Sequence, residues 1–197
     1  MSKNEELPLK ERVLAEVKKT GFPLELRVSA LLQSRDYYVA NNLFFVDRDE
    51  QKAREIDLRA LKNFEFHSGD AGYRVRNLLM VECKKSVKPW VIFTSPTTPY
   101  DRADEFLQYE GSLNPKVRIP KATMDVLKRT HPVAISKKRG RSFFEPFKND
   151  VAADSTIFGA VTSVVKASLE MQKKSFAAGE KNLCIYYGIV VFEGNLF

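Results

Sequence analysis

Cysteine and histidine are both scarce in this chain, with two of each in 197 residues. Cys83 and Cys184 are too few for a disulfide framework or a zinc cluster, and both read as reduced core residues of a cytoplasmic protein. His67 and His131 leave His-rich nuclease and zinc-hydrolase motifs with little to work with. The nine glycines form neither a GxxxxGK phosphate loop nor a GxGxxG turn. No apolar run is long enough to span a bilayer, and the opening "MSKNEELPLK" has no apolar signal region, so no membrane partner is expected. There is no internal repeat and no low-complexity tract. With these chemistries thinned out, any hydrolysis here would rest on carboxylates and lysines.

What is present is ordinary for a globular domain: 44% hydrophobic and 29% charged residues. The length suits one domain with a full core. The net charge of +7 favours a polyanionic partner, nucleic acid first. "PLKERVLAEVKKTG" reads as a helix that Gly21 can close, with Leu9, Val13 and Val17 at helical spacing. "PLELRVSALLQSR" repeats the pattern, with Leu24, Val28, Leu31 and Leu32 on one stripe. "YYVANNLFFV" is a strand, "DRDEQK" a polar turn, and "SGDAGY" a loop. "REIDLRALKNFEF" alternates, which sends Ile56, Leu58 and Ala60 to one face and Glu55, Asp57 and Arg59 to the other. "RVRNLLMVEC" is apolar on both faces near its end, as a covered central strand would be. "WVIFTSP" is a further short strand or extended segment, and "DRADEFLQYEG" a helix. Residues 112–153 read as an irregular insertion with a short helix near "KATMDVLKRT" and a basic loop, "SKKRGRS". "DSTIFGAVTSVVKASLEMQKKSFAAG" is the clearest helix, with Ile157, Val161, Val164, Val165 and Leu169 on its stripe. "NLCIYYGIVVF" is a final strand, or two joined near Gly188.

The expected architecture is therefore α/β, a mixed four- to five-stranded sheet flanked by helices. It divides into an N-terminal helix (1–21), a core (22–111), the basic insertion (112–153) and a C-terminal helix and strand (154–197).

Three Glu-x-Lys triplets occur: Glu16 with Lys18, Glu50 with Lys52, and Glu82 with Lys84. Only the last follows an apolar strand. There the two-residue period aims both side chains at the same side, where charge is costly unless matched. A same-face ion pair at a fraying sheet end explains the triplet taken alone. Asp57 changes the balance. It precedes Glu82 by one strand, a loop and a return, so two carboxylates from adjacent strands can converge near one lysine. Two carboxylates and a backbone carbonyl form a hard oxygen site suited to Mg²⁺ or Mn²⁺. Such an ion stabilises charge on a scissile phosphate and activates water.

Asp57 on one strand and Glu82-Cys83-Lys84 on the next resemble the PD-(D/E)XK nuclease superfamily, the restriction-endonuclease-like fold. The resemblance implies a core of a helix, three strands, a helix and a further strand. It implies that Asp57, Glu82 and the Cys83 carbonyl bind metal and that Lys84 assists catalysis. Many members add an acidic residue from the helix before the first strand, and Glu25 is the match. Some carry a Gln or Lys on the helix after the triplet, which points to Gln108. Ile56 stands where the eponymous proline would be. Each has a plainer reading as well: Glu25 as a surface carboxylate paired with an arginine or lysine, Gln108 as a solvated glutamine, Glu55 as solvated or lysine-paired.

DNA is the expected partner. Lys137, Lys138, Arg139 and Arg141 around Gly140 form the densest cationic cluster, and Lys85 and Lys88 extend it past the triplet. Phe143, Phe144 and Phe147 follow and are assigned to core packing rather than to base stacking. The expected activity is a Mg²⁺-dependent deoxyribonuclease, an endonuclease in defence or DNA processing. Double-strand cutting by one site per chain would suit a homodimer. The rivals are a catalytically silent member of the same fold that binds nucleic acid or protein, and an unrelated α/β interaction domain whose Glu82 and Lys84 are a structural ion pair.

Overall fold

The computed structural model describes residues 8–68, 71–98, 111–112, 136–147, 156–177 and 183–197, together with the single positions 121, 125 and 129. In chain order the elements are α1 (Leu9–Lys19), α2 (Phe22–Gln33), β1 (Tyr38–Asp47), β2 (Lys52–Ser68), β3 (Ala71–Lys85), β4 (Val91–Pro96), β5 (Gly111–Ser112), β6 (Lys138–Phe144), α3 (Thr156–Ala177) and β7 (Leu183–Glu193). Four long strands and the two-residue β5 make one sheet in the order β1-β2-β3-β7-β5, while β4 and β6 pair separately. The neighbours β1–β2 and β2–β3 are antiparallel and β3–β7 is parallel, so the sheet is mixed. Among the described residues no helix is long and apolar enough to cross a membrane.

β3 is central, as its doubly apolar sequence predicts. Leu78 and Met80 join Phe45, Ile56, Val164, Ala167, Cys184 and Tyr186 on the α3 side. Leu79, Val81 and Cys83 join Leu24, Leu58 and Ala60 on the α2 side. Alternation along one strand thus feeds two cores, one under each helix.

Several expectations need correction. Gly21 does not close α1; Thr20 does, and Gly21 instead opens α2. α1 buries none of its residues, so Leu9, Val13 and Val17 stay exposed, and on α2 Leu31 leaves the stripe that Leu24, Val28 and Leu32 keep. The α3 seam runs through Ile157, Ala160, Val164 and Ala167, with Val161, Val165 and Leu169 exposed. Small alanines mark where α3 approaches the sheet, and a Cβ on Gly188 would stand 2.9 Å from Val164 Cγ2. That close approach explains the glycine, and β7 runs through it unbroken. The "SGDAGY" loop is shorter than expected because the β2–β3 ladder extends to Ser68 and Ala71. "KKRGR" is no loop: Lys138–Phe144 is β6, paired with β4. The helix expected over 101–111 lies outside the described residues, save that Gly111 belongs to β5, while near 121–130 the described positions Lys121, Asp125 and Arg129 are each helical, as expected.

The alternation of β2 also breaks. Ile56 enters the α3-side core, yet Leu58 and Ala60 enter the α2-side core. Opposite this point Asn42 drops out of the β1–β2 register and takes φ 52°, a left-handed conformation that asparagine tolerates. The reversal turns the strand at Asp57.

At the far end of this hairpin Asp47 accepts hydrogen bonds from Arg54 at 2.6 Å and from Lys166 of α3 at 2.8 Å. Those cations hold its carboxyl well below the usual range and clamp α3 to the β1–β2 turn.

Candidate active site at the parting of two strands

Pairing between β2 and β3 stops at Leu58 and Val81. Beyond it, Lys52 to Ile56 stay with β1 while Glu82 to Lys85 stay with β7. The strands part like a fork, and Asp57 and Glu82 are the first residues past the split. Parting leaves β3 backbone groups without a β2 partner, which is costly unless another group replaces it. Asp57 does so: its Oδ2 accepts a hydrogen bond from the Cys83 N–H at 2.6 Å. In an extended strand the N–H and C=O of one residue project to the same edge. The Cys83 carbonyl therefore also looks into the fork.

Lys84 and Glu82 share a side, as their spacing predicts. Lys84 Nζ donates to Glu82 Oε1 at 2.5 Å. Glu82 is only 6% exposed. Its second oxygen, Oε2, is buried with no hydrogen-bond partner. An orphaned carboxylate oxygen in a buried site is expensive in a finished structure. Burial is the largest cause pushing the Glu82 carboxyl above its ordinary value; Lys84 opposes this, and the negative charges of Asp57 and Glu55 add to it.

Glu25 comes from the first turn of α2, where Gly21 accepts its backbone N–H. Its carboxyl is also raised, first by burial and then by the charges of Asp57, Glu55 and Glu82. Four carboxylates from three elements therefore share one field. Glu55, expected in solvent or paired with a lysine, is exposed, accepts a hydrogen bond from Asn42 Nδ2 at 2.7 Å, and its charge reaches both Glu25 and Glu82. Its two-residue offset from Asp57 was the available signal. The Cys83 thiol is pushed up to about 12 by burial and by these same carboxylates, so it stays protonated.

Among the described residues, no group of three or more Asp, Glu, His or Cys side chains is arranged to hold a metal ion. The donors nearest the fork are fewer: the unpartnered oxygen of Glu82, Asp57, whose Oδ2 accepts the Cys83 N–H, and the Cys83 carbonyl. Two carboxylates and a carbonyl fit a hard divalent cation that keeps several waters. The unpartnered Oε2 is the observation that favours this fit.

The remaining sequence-predicted residues are placed as follows. Lys85 projects away from Glu82 and Lys84, donates to the Lys18 carbonyl at 2.7 Å and pairs with Glu193. Lys88 is exposed just beyond β3. Lys137 and Lys138 are exposed, and Arg139 and Arg141 lie on β6. Gln108 lies outside the described residues. Phe143, Phe144 and Phe147, expected in the core, are exposed. No family model, no curated protein and no solved structure matches the chain.

The raised carboxyls carry a pH prediction. A protonated carboxyl does not bind a cation, so Mg²⁺ or Mn²⁺ binding should be complete at higher pH and fall as pH drops through the raised values. The fall should begin above the ordinary glutamate value of 4.5. Calorimetric titration across this range checks it, and Glu82→Gln should bind weakly throughout. Affinity unchanged from neutral pH down to 4.5 would place Glu82 outside the cation's reach.

Proposed function

We propose that this chain is a metal-dependent DNA nuclease that hydrolyses phosphodiester bonds, an endonuclease acting in defence or DNA processing. The observation that carries this is the fork: Asp57 and Glu82 emerge where β2 and β3 part, with Lys84 alongside and one Glu82 oxygen unpartnered. With β4, β5 and β6, which fall between β3 and α3, set aside, the order α2, β1, β2, β3, α3 and β7 reads helix, three strands, helix, strand and is consistent with the restriction-endonuclease-like reading. The helix in that order is α3, later in the chain than the 101–111 segment first assigned to the role.

Asp57, Glu82 and the Cys83 carbonyl would hold Mg²⁺ or Mn²⁺. The bound ion supplies charge neutralisation at the scissile phosphate and makes water a better nucleophile. Lys84 then places an ammonium beside the non-bridging oxygens, where negative charge grows in the transition state. Glu25, with its carboxyl raised, accepts a proton from water at the rim of the same field. No side chain needs to act as nucleophile, and the protonated Cys83 thiol is unsuited to do so. Lys88, Lys137, Lys138, Arg139 and Arg141 supply phosphate affinity. One site per chain suits a two-fold dimer for cutting both strands.

The test is direct. Incubated with circular and linear DNA plus Mg²⁺ or Mn²⁺, the protein should nick or cut, and a chelator should stop it. Cleavage that ignores the chelator would remove the mechanism. Intact DNA with every divalent cation would favour the silent binding module, in which the Lys84–Glu82 pair is structural.

A further inference from the structure

The β4–β6 ribbon has two unlike faces. Cross-strand partners in an antiparallel pair share a face, and successive residues alternate. Ile92 pairs with Phe143, and Ile92 packs with Trp90, Ile157 and Ala160, so this face is seated on the α3 side of the molecule. The opposite face carries the pairs Val91–Phe144, Phe93–Ser142 and Ser95–Arg139. Between Gly140 and Ser142 the register shifts, leaving Arg141 as the extra residue of a bulge. Arg141 Nε donates to Ser95 Oγ at 2.6 Å, which assigns its side chain to the face of Ser95 and Arg139. On this outward face Phe93 is 54% and Phe144 55% exposed.

The ribbon is also fixed relative to the fork. Trp90 exchanges backbone hydrogen bonds with the 195–197 segment, donating to the Asn195 carbonyl at 2.9 Å and accepting from Phe197 N–H at 2.9 Å. That segment follows β7, whose Glu193 pairs with Lys85, the neighbour of Lys84. The Trp90 ring stacks on Phe192, with centroids 4.0 Å apart. The ribbon therefore rises from the end of the sheet that carries the candidate site.

We infer that the outward face of the β4–β6 ribbon binds single-stranded DNA, and that the substrate of the adjacent site contains an unpaired segment. This deepens the nuclease reading and rests on it for the cleavage step alone. Two exposed phenyl rings beside two arginines match the chemistry of an unpaired strand. Guanidinium groups meet phosphates, and rings stack on bases whose faces are open. A duplex keeps its base faces covered, so it would use the arginines and leave Phe93 and Phe144 in water. Lys137, exposed just before β6, extends the positive track. The excess of +7 over the whole chain agrees in sign.

The experiment uses the full chain in chelator, so that binding is read without cleavage. Fluorescence anisotropy compares a labelled oligothymidine of about 15 nucleotides with a hairpin duplex of similar charge at one salt concentration. The single strand should bind about tenfold or more tightly than the duplex. Phe93→Ala and Phe144→Ala should each weaken single-strand binding by about tenfold and leave duplex binding nearly unchanged. Replacing Arg139 and Arg141 by Gln should weaken both and flatten the salt dependence. Both phenylalanines are exposed, so circular dichroism should show these variants folded. Equal affinity for the two DNAs, or phenylalanine variants that bind single strands as wild type does, overturns the inference. So does concentration-dependent dimerisation that Phe93→Ala abolishes without any single-strand binding, which would give the face to a second copy. Asp57→Ala should bind as wild type. Single-strand binding with no cleavage under any cation would sink the nuclease reading and leave this one standing.

Discussion

Asp57→Ala and Lys84→Ala should each lower the proposed metal-dependent DNA cleavage by at least about a hundredfold, with both proteins still folded. The two losses have different causes. Asp57 is one of two carboxylates proposed to hold the cation, and it also satisfies the Cys83 N–H. Its removal should weaken cation affinity and lower cleavage at every DNA concentration. Lys84 touches no proposed metal ligand except through Glu82. Its removal frees Glu82 Oε1, so cation affinity should hold or rise while the rate falls. Calorimetry beside single-turnover cleavage separates the two. Turnover that survives Asp57→Ala would refute the fork as the catalytic centre. A Lys84→Ala variant that cuts normally would return the Lys84–Glu82 pair to a structural role.

Leu58→Ala should cost about 2–5 kcal/mol of stability, the range for deleting a fully buried leucine. Leu58 is 0% exposed, at the last rung of the β2–β3 ladder and against Leu24, Val81 and Cys83. The cavity would open directly behind the fork, between the sheet and α2. For a chain of this length the loss corresponds to a fall in Tm of roughly 4–20 °C, read by thermal denaturation. The effect should reach the site as well, because Leu24 and Glu25 are neighbours on α2. A Tm within a degree or so of wild type would mean that this side of the sheet does not form the core described.

Glu82 and Lys84 were legible because a strand's two-residue period is strict, and their neighbours on β3 show both faces covered. The partnership of Asp57 with Cys83 was legible only in outline. Simple alternation puts Ile56 and Leu58 on one face, whereas the chain sends them to different cores. The break coincides with the left-handed Asn42 on the neighbouring strand, and no local pattern in β2 announces it. The ribbon was hidden for a similar reason. "KKRGR" looks like a solvated loop until its pairing with Val91–Pro96 is known, and that partner lies far back in the sequence. Phe143, Phe144 and Phe147 read as core because aromatic residues usually are. Phe144 is exposed because the two-stranded ribbon buries only one face; Phe143, on the seated face, is still 42% exposed, and Phe147 lies beyond β6.

The place of β7 has a consequence for when this molecule becomes competent. β3, which carries Glu82 and Lys84, finds its parallel neighbour more than a hundred positions downstream, with Val75 against Leu183 and Lys85 against Glu193. Such distant pairing forms late, because closing a long loop precedes any reward from the contact. During synthesis β3 therefore waits as an open edge, and a chain stopped short of Leu183 would expose it to aggregation. The fork that carries Asp57 and Glu82 is therefore backed by its full sheet only once residues 183–193 are present.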